Sequence, residues 1–291
     1  MKFEHKIEYF FFISFVQLFR LIGLKATRIF AKALGLIVFY IIPVRKKVVI
    51  ENLSIAFPEK SISEIKKLAR KTYQNILITF SEMMYLPFLS ESKIKKSISF
   101  ENLEIVKINI GENKPAIFLT GHFGGWEFCL SSLSLFIGRK FLLLAQPQSN
   151  SRISDFVMNA RKTFGNDVIL SGVSVRKLYE NLTKGGIVGI VGDQRGTYEG
   201  PRFSFFNRDT ALYTGTATMA LKTSCPIIMT AFERLKNNNY KIYFQEVNFH
   251  NLPQDNEDKI RVITQQYITF LEKHISKNPE QYFWLHKIWK Y

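Results

Sequence analysis

The stretch Thr120-Gly-His-Phe-Gly-Gly-Trp-Glu127 holds an imidazole and a carboxylate on either side of a glycine pair. A neutral imidazole removes a proton from an attacking hydroxyl, and a carboxylate beside it fixes the ring's tautomer and stabilises the imidazolium. His122 and Glu127 are five residues apart, roughly 140° round an ideal helix, so a continuous helix would separate them. Gly124 and Gly125 permit a tight turn that brings the Glu127 carboxylate back to His122. Backbone N–H groups of that turn, or of the helix start after it, are expected to face a developing oxyanion, with a nearby cation as the alternative. Taken as an isolated H-x4-E, the pattern is more often a capping histidine and a surface glutamate, and it is the strand–glycine turn–helix context that favours the catalytic reading.

Two further sets of polar residues sit near predicted element ends. Asp193, Gln194 and Arg195 follow the apolar run 186–191, where they either line the same crevice as His122 or form only a turn. Arg161 falls on a predicted helix, and alone it reads as a solvated cation. Other chemistries lack their signatures, since there is no G-x-S-x-G, Walker loop or H-E-x-x-H. His5, His250, His274 and His286 lie far from His122 in sequence and without metal-ligand spacing to it. The glycine-rich run 185–196 is a weak phosphate cradle, because Gly185 and Gly186 more simply end a helix before a strand.

Alternating strands and helices are expected to position these groups. Strands are predicted at 115–120, 140–145, 167–170, 186–191, 226–232 and 240–247, and helices at 126–136, 154–164, 175–183, 210–223 and 259–276. Residues 63–84 have amphipathic helical spacing, with Ser61 or Ser63 as the cap, after a short connector at 52–58. The alternation predicts an α/β fold with a mixed, mostly parallel central sheet flanked by helices. Ligands of open α/β sheets gather at the carboxyl ends of strands, where His122 falls.

The chain of 291 residues is 46% hydrophobic with 27 Phe, yet carries 40 Lys and Arg against 24 Asp and Glu, a net charge of +16. Such a basic and apolar chain suits anionic partners and a membrane surface. Two cysteines, Cys129 and Cys225, exclude a disulfide scaffold. Residues 1–47 hold nine cations against two acids and form the expected membrane-anchoring segment, ahead of a single α/β domain at 48–291. Their uncharged runs of 11 and 12 residues are shorter than the roughly 20 that span a bilayer. Lys25, Arg28 and Lys32 share one helical face, which favours a helix lying among lipid headgroups. A spanning helix with Arg20 snorkelling, a cleaved signal peptide (though no small-residue cleavage site follows the first run) and an ordinary pair of core helices are the other readings.

Several ordered stretches resemble the lipid A biosynthesis acyltransferases, the late acyltransferase branch of the lysophospholipid acyltransferase superfamily. They are Asn52-Leu…Ala56-Phe-Pro-Glu59, Gly121-His-Phe-Gly-Gly-Trp-Glu127, Pro147…Asn150, Arg161…Gly165, Gly192-Asp-Gln194, Phe205-Phe206 with Thr214-Gly-Thr, Pro226…Arg234 and Asn278-Pro-Glu-Gln-Tyr-Phe-Trp-Leu-His-Lys287. The resemblance implies an inner-membrane enzyme, its catalytic domain on the cytoplasmic face, moving an acyl chain from acyl carrier protein to a hydroxyl of a lipid A precursor. It implies His122 as the catalytic histidine, Glu127 as its paired acid, and Arg161 and Asp193 in the active-site cleft. Asn150, Gln194 and Arg195, with the Gly124–Gly125 turn, are the further expected substrate-binding positions. Asn207 stands where the family usually has glycine after two phenylalanines, which bears on the local turn. No metal or cofactor is called for. The rival readings are a same-branch acyltransferase acting on another glycolipid or aminolipid, and a non-catalytic lipid- or carrier-binding homologue. Nucleic acid is not an expected partner, since the cations cluster with apolar runs and no reading motif is present.

Overall fold

The computed structural model describes residues 3–42, 44–111, 113–171 and 175–290. Three helices open the chain: α1 (Phe3–Tyr40), α2 (Lys46–Ala56) and α3 (Ile62–Tyr85). After them come α4 (Glu91–Ser97), β1 (Ile98–Glu101), α5 (Leu103–Asn109), β2 (Ala116–Thr120), α6 (Trp126–Ser132), α7 (Ser134–Ile137), β3 (Phe141–Ala145) and α8 (Ser151–Lys162). The remainder is β4 (Asp167–Leu170), α9 (Val175–Thr183), β5 (Ile187–Val191), β6 (Arg202–Phe205), β7 (Arg208–Ala211), α10 (Gly215–Thr223), β8 (Ile227–Arg234), β9 (Tyr240–Glu246) and α11 (Asn256–Lys277).

Seven strands form one sheet in the order β1-β9-β8-β2-β5-β3-β4. Neighbours pair in parallel except β8 and β9, so the fold is the expected mixed, mostly parallel sheet. β2 is buried along its whole length, as a central parallel strand with both faces covered must be. One core lies between the sheet and α2, α3, α9, α10 and α11; the other, on the opposite face, takes in Phe19 of α1 and the buried side of α6.

α3 begins at Ser61, whose hydroxyl and the Glu64 carboxylate form a reciprocal capping box. α1 packs along α3, and at Gly35 an added Cβ would come within 2.6 Å of the Gln74 backbone. At Gly23 the helix breaks, with φ 78 and ψ 163, a conformation open to glycine. Phe19 and Phe30 then meet with ring centroids 5.9 Å apart, where a straight helix would hold them roughly 16 Å apart along its axis. The apolar face, including Phe10, Leu21 and Ile29, is left exposed.

Three expectations change. The connector at 52–58 is mostly helix, the end of α2, whose Asn52 amide donates to the carbonyls of Trp284 and His286. The helix at 126–136 is two short helices, α6 and α7. The front of the predicted 210–223 helix is β7, because residues 202–211 fold as a hairpin. Its two-residue turn needs positive φ at both positions, and Phe206 and Asn207 have 52° and 55°. Asparagine tolerates that region, and the Phe206 ring is held against Phe57 and Trp284.

Candidate active site

The register of β2 against β5 assembles the site. Thr120 pairs with Val191 at the carboxyl ends of these parallel strands, so two residues further on His122 meets Asp193. The His122 Nδ1 is 2.6 Å from Asp193 Oδ1, and the His122 backbone N–H donates to Asp193 Oδ2 at 2.8 Å. With Nδ1–H donated to the carboxylate, Nε2 keeps its lone pair, and the ring lines a cleft of about 360 Å3. Burial by itself would depress the His122 pKa, but the Asp193 charge and hydrogen bond, helped by Glu127, hold it above the usual value. Asp193 is itself buried, which opposes ionisation, yet His122 keeps it below the ordinary carboxylate range.

Glu127 does not hold His122. Its carboxylate is taken by Arg161, which donates from Nε at 3.0 Å and Nη2 at 2.6 Å. The turn carries Glu127 onto α6, facing α8, while the imidazole points across the sheet ends to β5. Burial opposes ionisation of Glu127, and the Arg161 charge and paired bonds overcome it, so its pKa is lowered. Both residues line the cleft with His122 and Gln194.

Gly124 and Gly125 play a different part from the expected one. Gly124 N–H donates to the Gln281 carbonyl at 2.8 Å and Gly125 N–H to the Phe232 carbonyl at 3.2 Å, so neither is left for an oxyanion. Gly124 sits at φ +61, and a Cβ there would fall 1.5 Å from the Phe232 oxygen. Asn150 is likewise turned away from the cleft, its amide donating to the His5 carbonyl and the Glu8 carboxylate and so tying α1 to the start of α8. Arg195 reaches the Lys287 carbonyl instead of lining the cleft.

Sequence reasoning set His286 aside for its distance in the chain. The segment after α11 returns it: Phe283 N–H donates to the His122 carbonyl, and the His286 ring lies 5.3 Å from His122. Burial and the His122 charge push the His286 pKa down to about 4. The closing Trp-Leu-His motif was the available signal for this return.

Beneath the turn lies a sealed polar cluster. Glu82 of α3 is fully buried and bonded by Arg28 of α1 at 2.7 Å, by Arg234 of β8 at 2.7 Å, and by the Tyr240 hydroxyl. Arg234 also reaches Asn75 and the Thr79 hydroxyl, and that hydroxyl lies 2.9 Å from the Gly124 carbonyl as its donor.

The whole chain, residues 1–291, matches the family model described as bacterial lipid A biosynthesis acyltransferase. It is 22% identical over 255 residues to the lipid A biosynthesis palmitoleoyltransferase of Escherichia coli (strain K12), covering 84% of this chain and 79% of that one. It is 26% identical over 252 residues to lipid A biosynthesis acyltransferase 2 of Shigella flexneri, covering 82% and 76%. To the lipid A biosynthesis lauroyltransferase of Escherichia coli (strain K12) it is 23% identical over 259 residues, covering 84% and 79%. With a family match that spans its full length, and with a mostly parallel sheet that sets the histidine motif at a strand end, the chain belongs to the bacterial lipid A biosynthesis acyltransferases.

Proposed function

We propose that this protein moves a fatty acyl group from an acyl carrier protein thioester to a hydroxyl of a lipid A precursor, with His122 as general base. The observation that carries this reading is the His122–Asp193 contact at the ends of β2 and β5, which leaves Nε2 as the basic nitrogen of a ring lining the cleft. In the step proposed, Nε2 removes the acceptor hydroxyl proton as that oxygen attacks the thioester carbonyl. The new C–O bond forms, the C–S bond breaks, and the imidazolium returns the proton to the departing thiolate. Asp193 fixes the tautomer and stabilises the imidazolium. Because the glycine N–H groups are engaged, the Arg161 guanidinium is the group assigned to the oxyanion, with Glu127 holding it in place.

The relatives' printed names, which specify lipid A biosynthesis, support the acceptor class. A net charge of +16 suits an acidic carrier and a phosphorylated acceptor. Helix α1, apolar and largely exposed but broken at Gly23 with its two halves in contact, is the proposed anchor in the inner membrane, with the domain on the cytoplasmic face. Acyl transfer in detergent micelles, followed by mass spectrometry of the acceptor, tests the reading. Wild type adds one acyl mass to a lipid A precursor, and His122→Ala loses about 10²–10⁴-fold of that rate. Wild-type turnover by a folded His122→Ala protein would remove His122 from the mechanism.

A further inference from the structure

Lys46, Lys66, Lys67 and Arg70 line one open cavity of about 430 Å3 where the end of α1 meets α2 and α3, completed by Phe39, Tyr40 and Ser63. It shares no lining residue with the His122 cleft. No carboxylate lines it, and none of these four cations forms an ion pair among the described residues. Glu64, the nearest acid on α3, has its carboxylate on Ser61. Lys46 is held in position, donating to the Phe39 carbonyl at 3.1 Å with its Nζ 4.0 Å over the Phe39 ring. The Glu64 charge reaches Lys67, so the four cations are only partly countered, and an anion bound among them is attracted by the excess.

A second observation specifies the anion's source. Ile41, Ile42, Val44 and Ile62 are 72%, 58%, 50% and 58% exposed, and they flank the cavity in sequence, beside Tyr40 and Ser63. A free inorganic anion gives those side chains nothing to cover them. A lipid does both, its phosphate among the cations and its chains along the apolar collar that continues from α1. We infer that this cavity binds the phosphate-bearing headgroup of an anionic lipid. The site is separate from the cleft and independent of the activity proposed above.

The test uses the full chain in detergent micelles and measures retention of fluorescent phosphatidylglycerol and phosphatidylcholine. Lys66→Glu/Lys67→Glu removes two exposed lysines of the cavity, and Lys177→Glu/Lys184→Glu makes the same charge change on and beside α9. Wild type should retain phosphatidylglycerol about tenfold more strongly than phosphatidylcholine, the cavity variant should lose about tenfold, and the control should match wild type. Arg70→Gln gives a second, milder reading should the double variant fold poorly, with a several-fold loss expected. Undiminished phosphatidylglycerol retention in the folded variants would overturn the proposal. So would full displacement of the lipid by millimolar inorganic phosphate, which would make this a free-phosphate site. Competition by acidic carrier protein without any lipid preference would overturn it too, making this a protein-docking face.

Discussion

Asp193 and Glu82 are both buried carboxylates that bond to residues from other parts of the chain, yet they do opposite things. Glu82 lies between two guanidiniums, Arg28 and Arg234, with the Tyr240 hydroxyl completing its shell. Burial opposes its ionisation, the two cations outweigh that, and its pKa is lowered. Neither guanidinium gives up a proton near neutral pH, so this cluster carries fixed charge and fixed geometry. Asp193 instead faces an imidazole, a group that can take up and release a proton, whose second nitrogen has no hydrogen-bond partner among the described residues. The same kind of acid is scaffold with one partner and, in the function proposed here, acid–base machinery with the other. The two regions meet through Thr79, which bonds to the Gly124 carbonyl on one side and to Arg234 on the other.

Removing the acid from the sealed cluster should show how much it supports. Glu82→Leu leaves Arg28 and Arg234 buried without their counter-charge, and the expected loss is about 3–5 kcal/mol of stability. Chemical denaturation in detergent measures it, and an unchanged midpoint would contradict the scaffold role. Thr79→Val removes the hydroxyl that links the regions, together with its 3.1 Å bond to the Asn75 carbonyl. It should cost about 1–3 kcal/mol, the price of unsatisfied buried groups, and should lower acyl-transfer rate as the Gly124 turn loosens. Full stability and activity in that variant would separate the two regions.

The smallest effect at neutral pH comes from His274, which shows what burial does to an imidazole with no carboxylate bonded to it. Burial, with Lys277 and Lys273 nearby, lowers its pKa from 6.5 to about 4. Its folded-state pKa is depressed, so its contribution is present above pH 6.5 and fades as pH falls toward about 4. His274→Gln should therefore flatten the decline of stability over that window while leaving stability at pH 7 nearly unchanged. Equal acid sensitivity in variant and wild type would assign the decline elsewhere.

Much of this arrangement was legible in the sequence. The run 115–120 into a glycine turn placed His122 at a strand end, and the apolar run 186–191 placed Asp193 at another. Their contact was not legible, because β3, α8, β4 and α9 intervene in the chain while the sheet order sets β5 beside β2. Without that register, the acid five residues away looked like the natural partner of His122. Glu127 has another partner because α8 brings Arg161 to it, a packing relation that spacing does not encode. The Gly124 and Gly125 donors were misjudged for a similar reason, since their acceptors come from Gln281 and Phe232, more than a hundred residues away. The fold-back at Gly23 was not legible either, because it is set by contact between the two halves of α1.

The central claim is that Asp193, rather than Glu127, governs the basicity of His122. The direct measurement is the pH dependence of the acyl-transfer rate for wild type, Asp193→Asn and Glu127→Gln. As the proposed base, His122 must be unprotonated to act, so activity is expected to rise with pH through its pKa, which Asp193 holds above the usual value. Asp193→Asn should lower the rate and move that acid limb to lower pH, because burial then acts without its main opponent. Glu127→Gln should also slow the reaction through Arg161, with a much smaller displacement of the limb. A limb that moves with Glu127→Gln and stays fixed with Asp193→Asn would contradict the account.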